Sequence, residues 1–162
     1  MLTTLLMVLS LAALVAGPAE ARSCHSSAQD AARVQRAIQS FYDALAKDDR
    51  PAFERTVTRD FQAFEQGERY TADTLFKAIE DSHRSGRLIN WKLSAVMVRV
   101  DCNTALATWD NRGSAGVPPK IAPRNWLESA LMRRSPTGWR MEFLHSTVMP
   151  PVEKITPTPA AK

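Results

Sequence analysis

The sequence predicts an α+β domain in which three N-terminal helices pack on a curved antiparallel sheet. Apolar residues recur at helical spacing in the first half of the chain, and from Leu88 onward β-branched and aromatic residues alternate between turn signals. Helices followed by a run of strands is the order typical of an α+β domain. The length of 162 residues, 44% of them hydrophobic and 23% charged, fits one globular domain.

The chain opens with a predicted secretory signal. Residues 5–16 are an unbroken run of apolar and small residues, shorter than the roughly 20 needed to span a bilayer, and Gly17-Pro18 ends it. Ala19 and Ala21 form the small-x-small pattern of a cleavage site. We therefore expect residues 1–21 to be removed and the mature protein to be secreted or periplasmic.

The mature chain is expected to be one domain, residues 22–148, followed by a disordered tail. Residues 149–162 contain four prolines and no helix or strand pattern. The formal net charge is +4, from 21 Lys and Arg against 17 Asp and Glu, and the basic residues are spread along the chain. This distribution argues against a nucleic-acid partner, and no membrane association is expected after cleavage.

The first predicted helix covers about residues 28–46. Apolar side chains recur there at spacings of four, three and four, which gives an amphipathic stripe: Val34, Ile38, Phe41 and Leu45.

Two shorter helices are predicted from their capping residues. Asp49, just before an Arg-Pro pair, is a suitable N-cap for a brief helix around 52–57. Thr71 is a suitable N-cap and Gly86 a suitable end for a third helix over about 72–84.

Period-two patterns predict the strands. A short strand at 61–65 lies between the second and third helices, and the other four should form two hairpins. A loop rich in glycine and proline, at 113–123, should separate the hairpins. The predicted hairpin strands are 88–100 with 104–110, and 125–133 with 139–146.

The turn at 135–138 predicts that Glu128 and His145 face each other across the last hairpin. Alternation then puts both on an otherwise apolar face, beside Trp126 and Phe143. A carboxylate and an imidazole on such a face need a partner or a ligand. They could form a structural pair or act as a general acid and base, whereas a one-residue bulge would put one of them outside.

The two cysteines, Cys24 and Cys102, can form one intramolecular bridge if the protein is exported. Loss of that bridge should cost about 2–4 kcal/mol. Free thiols or an intermolecular bond are the alternatives. No Cys or His spacing fits a zinc site, and no metal or other cofactor is expected.

Several segments follow the pattern of a known family: Phe41-Tyr42-x-Ala44-Leu45, the Asp48-Asp49 pair after it, Asp60-Phe61 with Gly67, Trp126 to Ser129, and Gly138 to Ser146. Together they resemble the nuclear transport factor 2-like superfamily, and within it the SnoaL-like branch and small secreted bacterial proteins of unknown function. The resemblance covers about residues 30–148 and implies a cone, a bent sheet wrapped by three helices around a pocket. Members include ketosteroid isomerases, polyketide cyclases, dehydratases and many proteins whose pocket has no known reaction.

The ketosteroid isomerases of this superfamily imply roles for particular positions. Glu65 falls at the general base and Glu128 at a second acid that donates to the developing enolate. Phe41 occupies the position of the oxyanion tyrosine. Tyr42 follows it, but one residue is about 100° round a helix, so we do not expect Tyr42 to replace it. The missing donor argues against steroid isomerisation.

The leading functional hypothesis is a secreted domain that binds a small apolar molecule on the concave sheet face. The alternatives are an isomerase, cyclase or hydratase that uses Glu128 with His145 or Glu65, and a homo-oligomeric interaction module. A homodimer is expected in either case, because many members of the superfamily associate through the outer sheet face. The candidate ligand-binding residues are Tyr42, Phe41, Trp91, Trp126 and Phe143.

Overall fold

The computed structural model describes residues 28–150. The predicted signal segment, Cys24 and residues 151–162 lie outside the described residues, so the cleavage site, the bridge and nearly all of the tail stay predictions.

The three helices lie where their sequence patterns place them. They are α1 (Ala28–Ala46), α2 (Arg50–Thr56) and α3 (Ala72–Arg84). The Asp49 side chain accepts a hydrogen bond from the Ala52 backbone NH at 2.9 Å, and Thr71 forms a reciprocal capping box with Thr74. Each cap satisfies a backbone donor that the first helical turn leaves unpaired.

Seven strands follow or interleave with the helices and form one curved mixed sheet. The order across the sheet is β2-β1-β7-β6-β5-β3, and β4 also pairs with β5. The predicted fold class, three helices on a curved sheet, is confirmed, and every strand pair is antiparallel as predicted except β1 with β7, which is parallel. Strands that are far apart in sequence escape the constraint of a tight hairpin and can pair in parallel. The strands are β1 (Val57–Glu65), β2 (Glu68–Thr71), β3 (Leu88–Asn90), β4 (Leu93–Asp101), β5 (Thr104–Val117), β6 (Lys120–Ser135) and β7 (Gly138–Val148).

The segment 113–123, expected to be a loop, instead forms the outer arms of a long β5–β6 hairpin. Pairing continues to Val117 and Lys120, so only two prolines remain as the turn. A glycine is required at Gly113, because a Cβ there would lie 1.9 Å from the Asn90 carbonyl oxygen on the adjacent β3. The glycine therefore permits close strand approach.

The strand expected at 88–100 is divided into β3 and β4. At the break, the Lys92 backbone NH donates to the Asn111 side-chain oxygen at 2.9 Å instead of to a backbone carbonyl. Both pieces still pair with β5. A buried side chain thus supplies the acceptor where the ladder is interrupted.

A β-bulge in the last hairpin contradicts the predicted pairing of Glu128 with His145. Met132 pairs with Met141 as expected, but the next pair is Leu131 with Phe143, so Glu142 is an extra residue. Beyond the bulge, the inward and outward positions of β7 exchange. His145 consequently pairs with Ser129 and is exposed, whereas Glu128 pairs with Ser146.

The hydrophobic core lies between the helices and the concave face of the sheet. The largest fully buried side chains come from all three helices and from β5, β6 and β7: Val34, Ile38, Phe41, Phe53, Phe76, Trp109, Met132 and Met141, together with the polar Asn111. Among the helices described, none is both long and apolar enough to cross a membrane.

Candidate functional site

A cavity of about 130 Å³ opens between α1, α3 and the concave sheet face. A single water needs only roughly 10–15 Å³, so the cavity has room for a small organic molecule. Its walls are mostly apolar and include two tryptophans: Phe41, Leu45, Leu75, Ile79, Ile89, Trp91, Ala115, Trp126 and Leu144. The polar lining residues are Tyr42, Glu65, Gln66, Arg87, Arg124, Glu128 and Ser146.

The Glu128 carboxyl lies in this cavity on β6 and is only 5% exposed. Its Oε2 atom accepts hydrogen bonds from Trp109 Nε1 at 2.7 Å and from Asn111 Nδ2 at 2.8 Å. Both donors come from β5, where they point inward at alternate positions. Two fixed donors hold the carboxyl in one orientation and leave Oε1 for other partners.

Burial raises the pKa of Glu128 above the 4.5 of a free carboxyl. The polar groups of Asn111, Tyr42, Ser146 and Trp109 favour the charged carboxylate and lower the pKa, in that order, but offset only part of the rise; of the four, Asn111 and Trp109 form hydrogen bonds of good geometry. The carboxyl therefore keeps its proton to higher pH than an exposed glutamate and can act as a donor as well as an acceptor.

The Tyr42 hydroxyl is the second polar group of the cavity. The side chain is 4% exposed, and its oxygen is buried without a hydrogen-bond partner among the described residues. Burial raises the pKa of Tyr42 well above 10.0, and the charge of Glu128 raises it further. The two groups are thus close enough to interact electrostatically, although their geometry does not form a good hydrogen bond.

Glu65 ends β1 and adds a second carboxyl to the cavity. Burial raises its pKa above 4.5, while a hydrogen bond from Gln66 and the charge of Arg124 lower it to a smaller extent. Gln66 Nε2 donates to Glu65 Oε1 at 3.3 Å. Glu65 is partly exposed, in contrast to Glu128, and so lies nearer the mouth.

The structure brings together six of the eight residues that the sequence suggested for catalysis or ligand binding. These are Phe41, Tyr42, Glu65, Trp91, Trp126 and Glu128. Tyr42, expected to line the site but not to substitute directly for the oxyanion tyrosine, lines the same cavity as Glu128.

Two candidates do not line the cavity. His145 is exposed on the outer face, where its Nε2 lies 3.4 Å from the Thr147 hydroxyl. Phe143 also lies outside the cavity, with its ring packed edge-on against Phe64 at 5.0 Å. Both errors have one cause, the extra residue Glu142 in β7.

Sequence reasoning missed Asn111, Ser146, Arg87 and Arg124 as site residues. Asn111 is fully buried and could have been found by continuing the alternation of β5 beyond Trp109. Ser146 replaces His145 opposite Glu128 only because of the bulge. The two arginines carry no local pattern that separates them from surface arginines.

The site has the composition for binding and for proton transfer. It combines apolar walls, a hydroxyl and two carboxyls with raised pKa values. Within residues 28–150 no group of three or more His, Cys, Asp or Glu side chains could hold a metal ion.

No protein-family model matches the chain, and no curated protein matches it in sequence. Solved structures do match it. An NTF2-like protein with a cystatin-like fold from Novosphingobium aromaticivorans has a TM-score of 0.67 and 18% identity over 77% of this chain and 85% of its own. The chain has the nuclear transport factor 2-like (NTF2-like) cone fold.

Two further neighbours illustrate how varied this fold is in function. A ketosteroid isomerase-like protein from Erwinia carotovora has a TM-score of 0.63 and 19% identity, over 77% of this chain and all of its own. A protein of unknown function from Nostoc punctiforme has a TM-score of 0.64 and 12% identity, over 78% of this chain and 96% of its own. At these identities the likeness establishes the fold alone.

Proposed function

We propose that this protein binds a small, mainly apolar organic molecule in the cavity, with one oxygen of that molecule hydrogen-bonded to Tyr42 and Glu128. The observation that supports this most directly is the buried Tyr42 hydroxyl, which has no hydrogen-bond partner of good geometry within residues 28–150. A buried donor left unpaired costs about 1–3 kcal/mol, and a phenylalanine would avoid that cost. A ligand oxygen in the cavity would give the hydroxyl its partner.

Glu128 suits the same ligand oxygen. When protonated, its carboxyl can donate a hydrogen bond from Oε1, because Oε2 is already held by Trp109 and Asn111. Tyr42 and Glu128 then present two donors to one acceptor in a low-dielectric site, where such bonds are stronger than in water. A ketone, hydroxyl or ether oxygen meets this requirement.

The cavity walls indicate the rest of the ligand. Trp91 and Trp126 provide aromatic faces, and Leu75 and Leu144 complete an apolar surface. The volume of about 130 Å³ is below the roughly 300–1,000 Å³ of pockets for drug-sized ligands. The proposal is therefore a ligand of about one ring.

The decisive experiment is Tyr42→Phe, which removes one oxygen and keeps the ring. Because the hydroxyl has no hydrogen-bond partner among the described residues, the free energy of unfolding should stay constant or rise, whereas ligand affinity should fall by up to about tenfold. Tyr70→Phe is the matched control, since Tyr70 is the other tyrosine of the chain and does not line the cavity.

Ligands would be found by native mass spectrometry of protein from its own source and by titrating small cyclic ketones and phenols against tryptophan fluorescence. Unchanged affinity of Tyr42→Phe for a molecule that binds the cavity would contradict the proposal. So would equal losses of affinity in both tyrosine variants.

An acid–base enzyme is the second candidate, and the two cavity carboxyls specifically favour it. Glu65 and Glu128 both have raised pKa values, which brings a carboxyl closer to the working range of a general acid or base. An isomerase, cyclase or hydratase would use one to take a proton and the other to give one. His145 has no part in this version, because it lies outside the cavity.

A measurement of substrate turnover distinguishes the acid–base enzyme from a protein that only binds its ligand. If a substrate is found, Glu65→Gln should lower kcat by at least about 100-fold while the ligand still binds. Glu68→Gln, at an exposed position of β2, is the matched control. Full activity of Glu65→Gln would remove Glu65 from the mechanism.

A further inference from the structure

The mouth of the cavity carries two positive charges, from Arg87 and Arg124. We infer that the ligand is an organic anion whose carboxylate pairs with these two arginines while its ring enters the cavity. This inference rests on the proposed function and names the chemical class of its ligand. It would make the site one for a small cyclic acid rather than a neutral hydrocarbon or ketone.

The two arginines reach the same opening from different parts of the fold. Arg87 follows the C-terminal end of α3, and Arg124 lies on β6; both line the cavity and both are only partly exposed. Within the described part of the chain neither guanidinium forms an ion pair, whereas Arg112, Arg133 and Arg134 do. The charge at the mouth is thus available to a ligand.

Arg124 is held in position by uncharged contacts. Its Nη2 donates to Gln66 Oε1 at 2.9 Å, and its guanidinium carbon lies 5.9 Å from the Trp126 ring centre. The remaining N–H donors of this planar guanidinium are left to bind a carboxylate. Because the group is already fixed, it loses little conformational entropy when it does so.

Glu65 offsets at most one of these two charges. Its Oε1 atom accepts a hydrogen bond from Gln66, and it forms no ion pair with either arginine, although the charge of Arg124 lowers its pKa. Even when Glu65 is fully ionised, its one negative charge stands against the two positive charges of the arginines. The net charge at the mouth therefore stays positive. A bound carboxylate would balance the remaining charge.

The two ends of the cavity then recognise different groups. The mouth takes the carboxylate, the tryptophan walls take the ring, and Tyr42 with Glu128 takes an oxygen at the inner end. A para-hydroxy aromatic acid has this arrangement of groups, which makes 4-hydroxybenzoate a suitable probe.

The test compares acids with their neutral amides. Benzoate, 4-hydroxybenzoate and cyclohexanecarboxylate are each titrated beside the corresponding amide, by calorimetry and tryptophan fluorescence, at two salt concentrations. The wild type should bind at least one acid about tenfold or more tightly than its amide, and added salt should reduce that preference. Arg87→Gln and Arg124→Gln should each bring the ratio of acid to amide affinity closer to one.

Arg99→Gln is the matched control, because it removes the same charge from an exposed position of β4. It should leave the preference for the acid unchanged. Equal binding of acids and amides by the wild type would overturn the inference and leave the proposed function standing. An acid preference that survives both cavity-mouth substitutions would also overturn it, and a failure of every acid and amide to bind would count against the proposed function as well.

Discussion

Replacing Glu128 with glutamine should make folding stability less sensitive to pH, in a direction that the structure fixes. Glu128→Gln keeps the length and shape of the side chain and retains an oxygen that can accept from Trp109 and Asn111. Its amide NH₂ would face the Tyr42 hydroxyl, which can accept a hydrogen bond. The substitution therefore removes one titrating group and little else.

The sign follows from the raised pKa of Glu128, whose main cause is burial. Below about pH 4.5 the folded and unfolded chains both hold the proton, so the raised pKa does not reduce folding stability there. Between the ordinary and the raised pKa, the unfolded chain releases the proton while the folded chain keeps it. The free energy of unfolding of the wild type therefore falls as the pH rises, by at most about 1.4 kcal/mol per pH unit for this one group.

The assay is urea unfolding of the wild type and Glu128→Gln from pH 4 to 8. The free energy of unfolding of the variant, relative to that of the wild type, should rise progressively as the pH rises above about 4.5. This difference should level off above the raised pKa of Glu128. Glu68→Gln controls for loss of one exposed carboxylate. The reasoning would be refuted if the difference in the free energy of unfolding did not change with pH, or if the wild type became more stable relative to the variant as the pH rose.

A contrasting variant tests the hydrogen bonds instead of the charge. Glu128→Leu would remove the acceptor and leave Trp109 Nε1 and Asn111 Nδ2 without their partner in the core. Each unpaired buried donor costs about 1–3 kcal/mol, so Glu128→Leu should be several kcal/mol less stable than Glu128→Gln at pH 4, where the charge plays no part.

Three other predictions concern the outer face, the cysteines and the N-terminus. His145→Ala should leave ligand affinity unchanged, because the imidazole is exposed outside the cavity; a loss in calorimetry would contradict this. Leu127→Glu should shift sedimentation toward a monomer, because Leu127 is 56% exposed on the outer sheet face where a dimer is expected; an unchanged dimer would contradict this surface. Secreted protein should begin near Arg22 and show no free thiol when denatured without reductant, because Cys24 and Cys102 are expected to be bridged; two free thiols would refute the bridge.

One contact of Cys102 bears on the predicted bridge. Arg134 Nη1 donates to the Asp30 carboxylate at 2.9 Å, and its Nη2 donates to the Cys102 carbonyl at 3.3 Å. This arginine ties the first turn of α1 to the β4–β5 turn. Cys24 precedes α1 by four residues in the sequence, so this contact supports the prediction that Cys24 and Cys102 are bridged.

The helices could be predicted from sequence because their signals are local. Apolar spacing and the caps Asp49 and Thr71 depend on residues only a few positions apart, and the observed bounds follow them. The predicted register of the last hairpin was wrong because the register depends on one inserted residue, Glu142. The effect of that residue extends along the rest of the strand. The alternation of side chains along a strand predicts correctly which sheet face each residue lies on up to a bulge, and incorrectly beyond it.

The burial of both Phe41 and Tyr42 has a physical origin in the width of the buried face of α1. A helix packed on one flat surface buries a stripe, and a residue about 100° from that stripe faces away. Here α1 lies inside a concave sheet and contacts elements on both sides, so Phe41 and Tyr42 are both buried. The Phe41 ring packs against Phe53 at 5.3 Å, on the side of α2 and β1, whereas the Tyr42 ring packs against Trp91 at 5.7 Å, beside β3.

The cavity lies between those two sets of contacts, which is why both neighbours line it. A tyrosine one position later on the helix can then direct its hydroxyl to Glu128 from the other side of the cavity. The polar pair of this site is thus built from a different helix position than the one the superfamily resemblance pointed to. Residue-by-residue transfer misses such a pair, because the feature that matters is the location of the hydroxyl in the cavity and not the number of its residue in the helix.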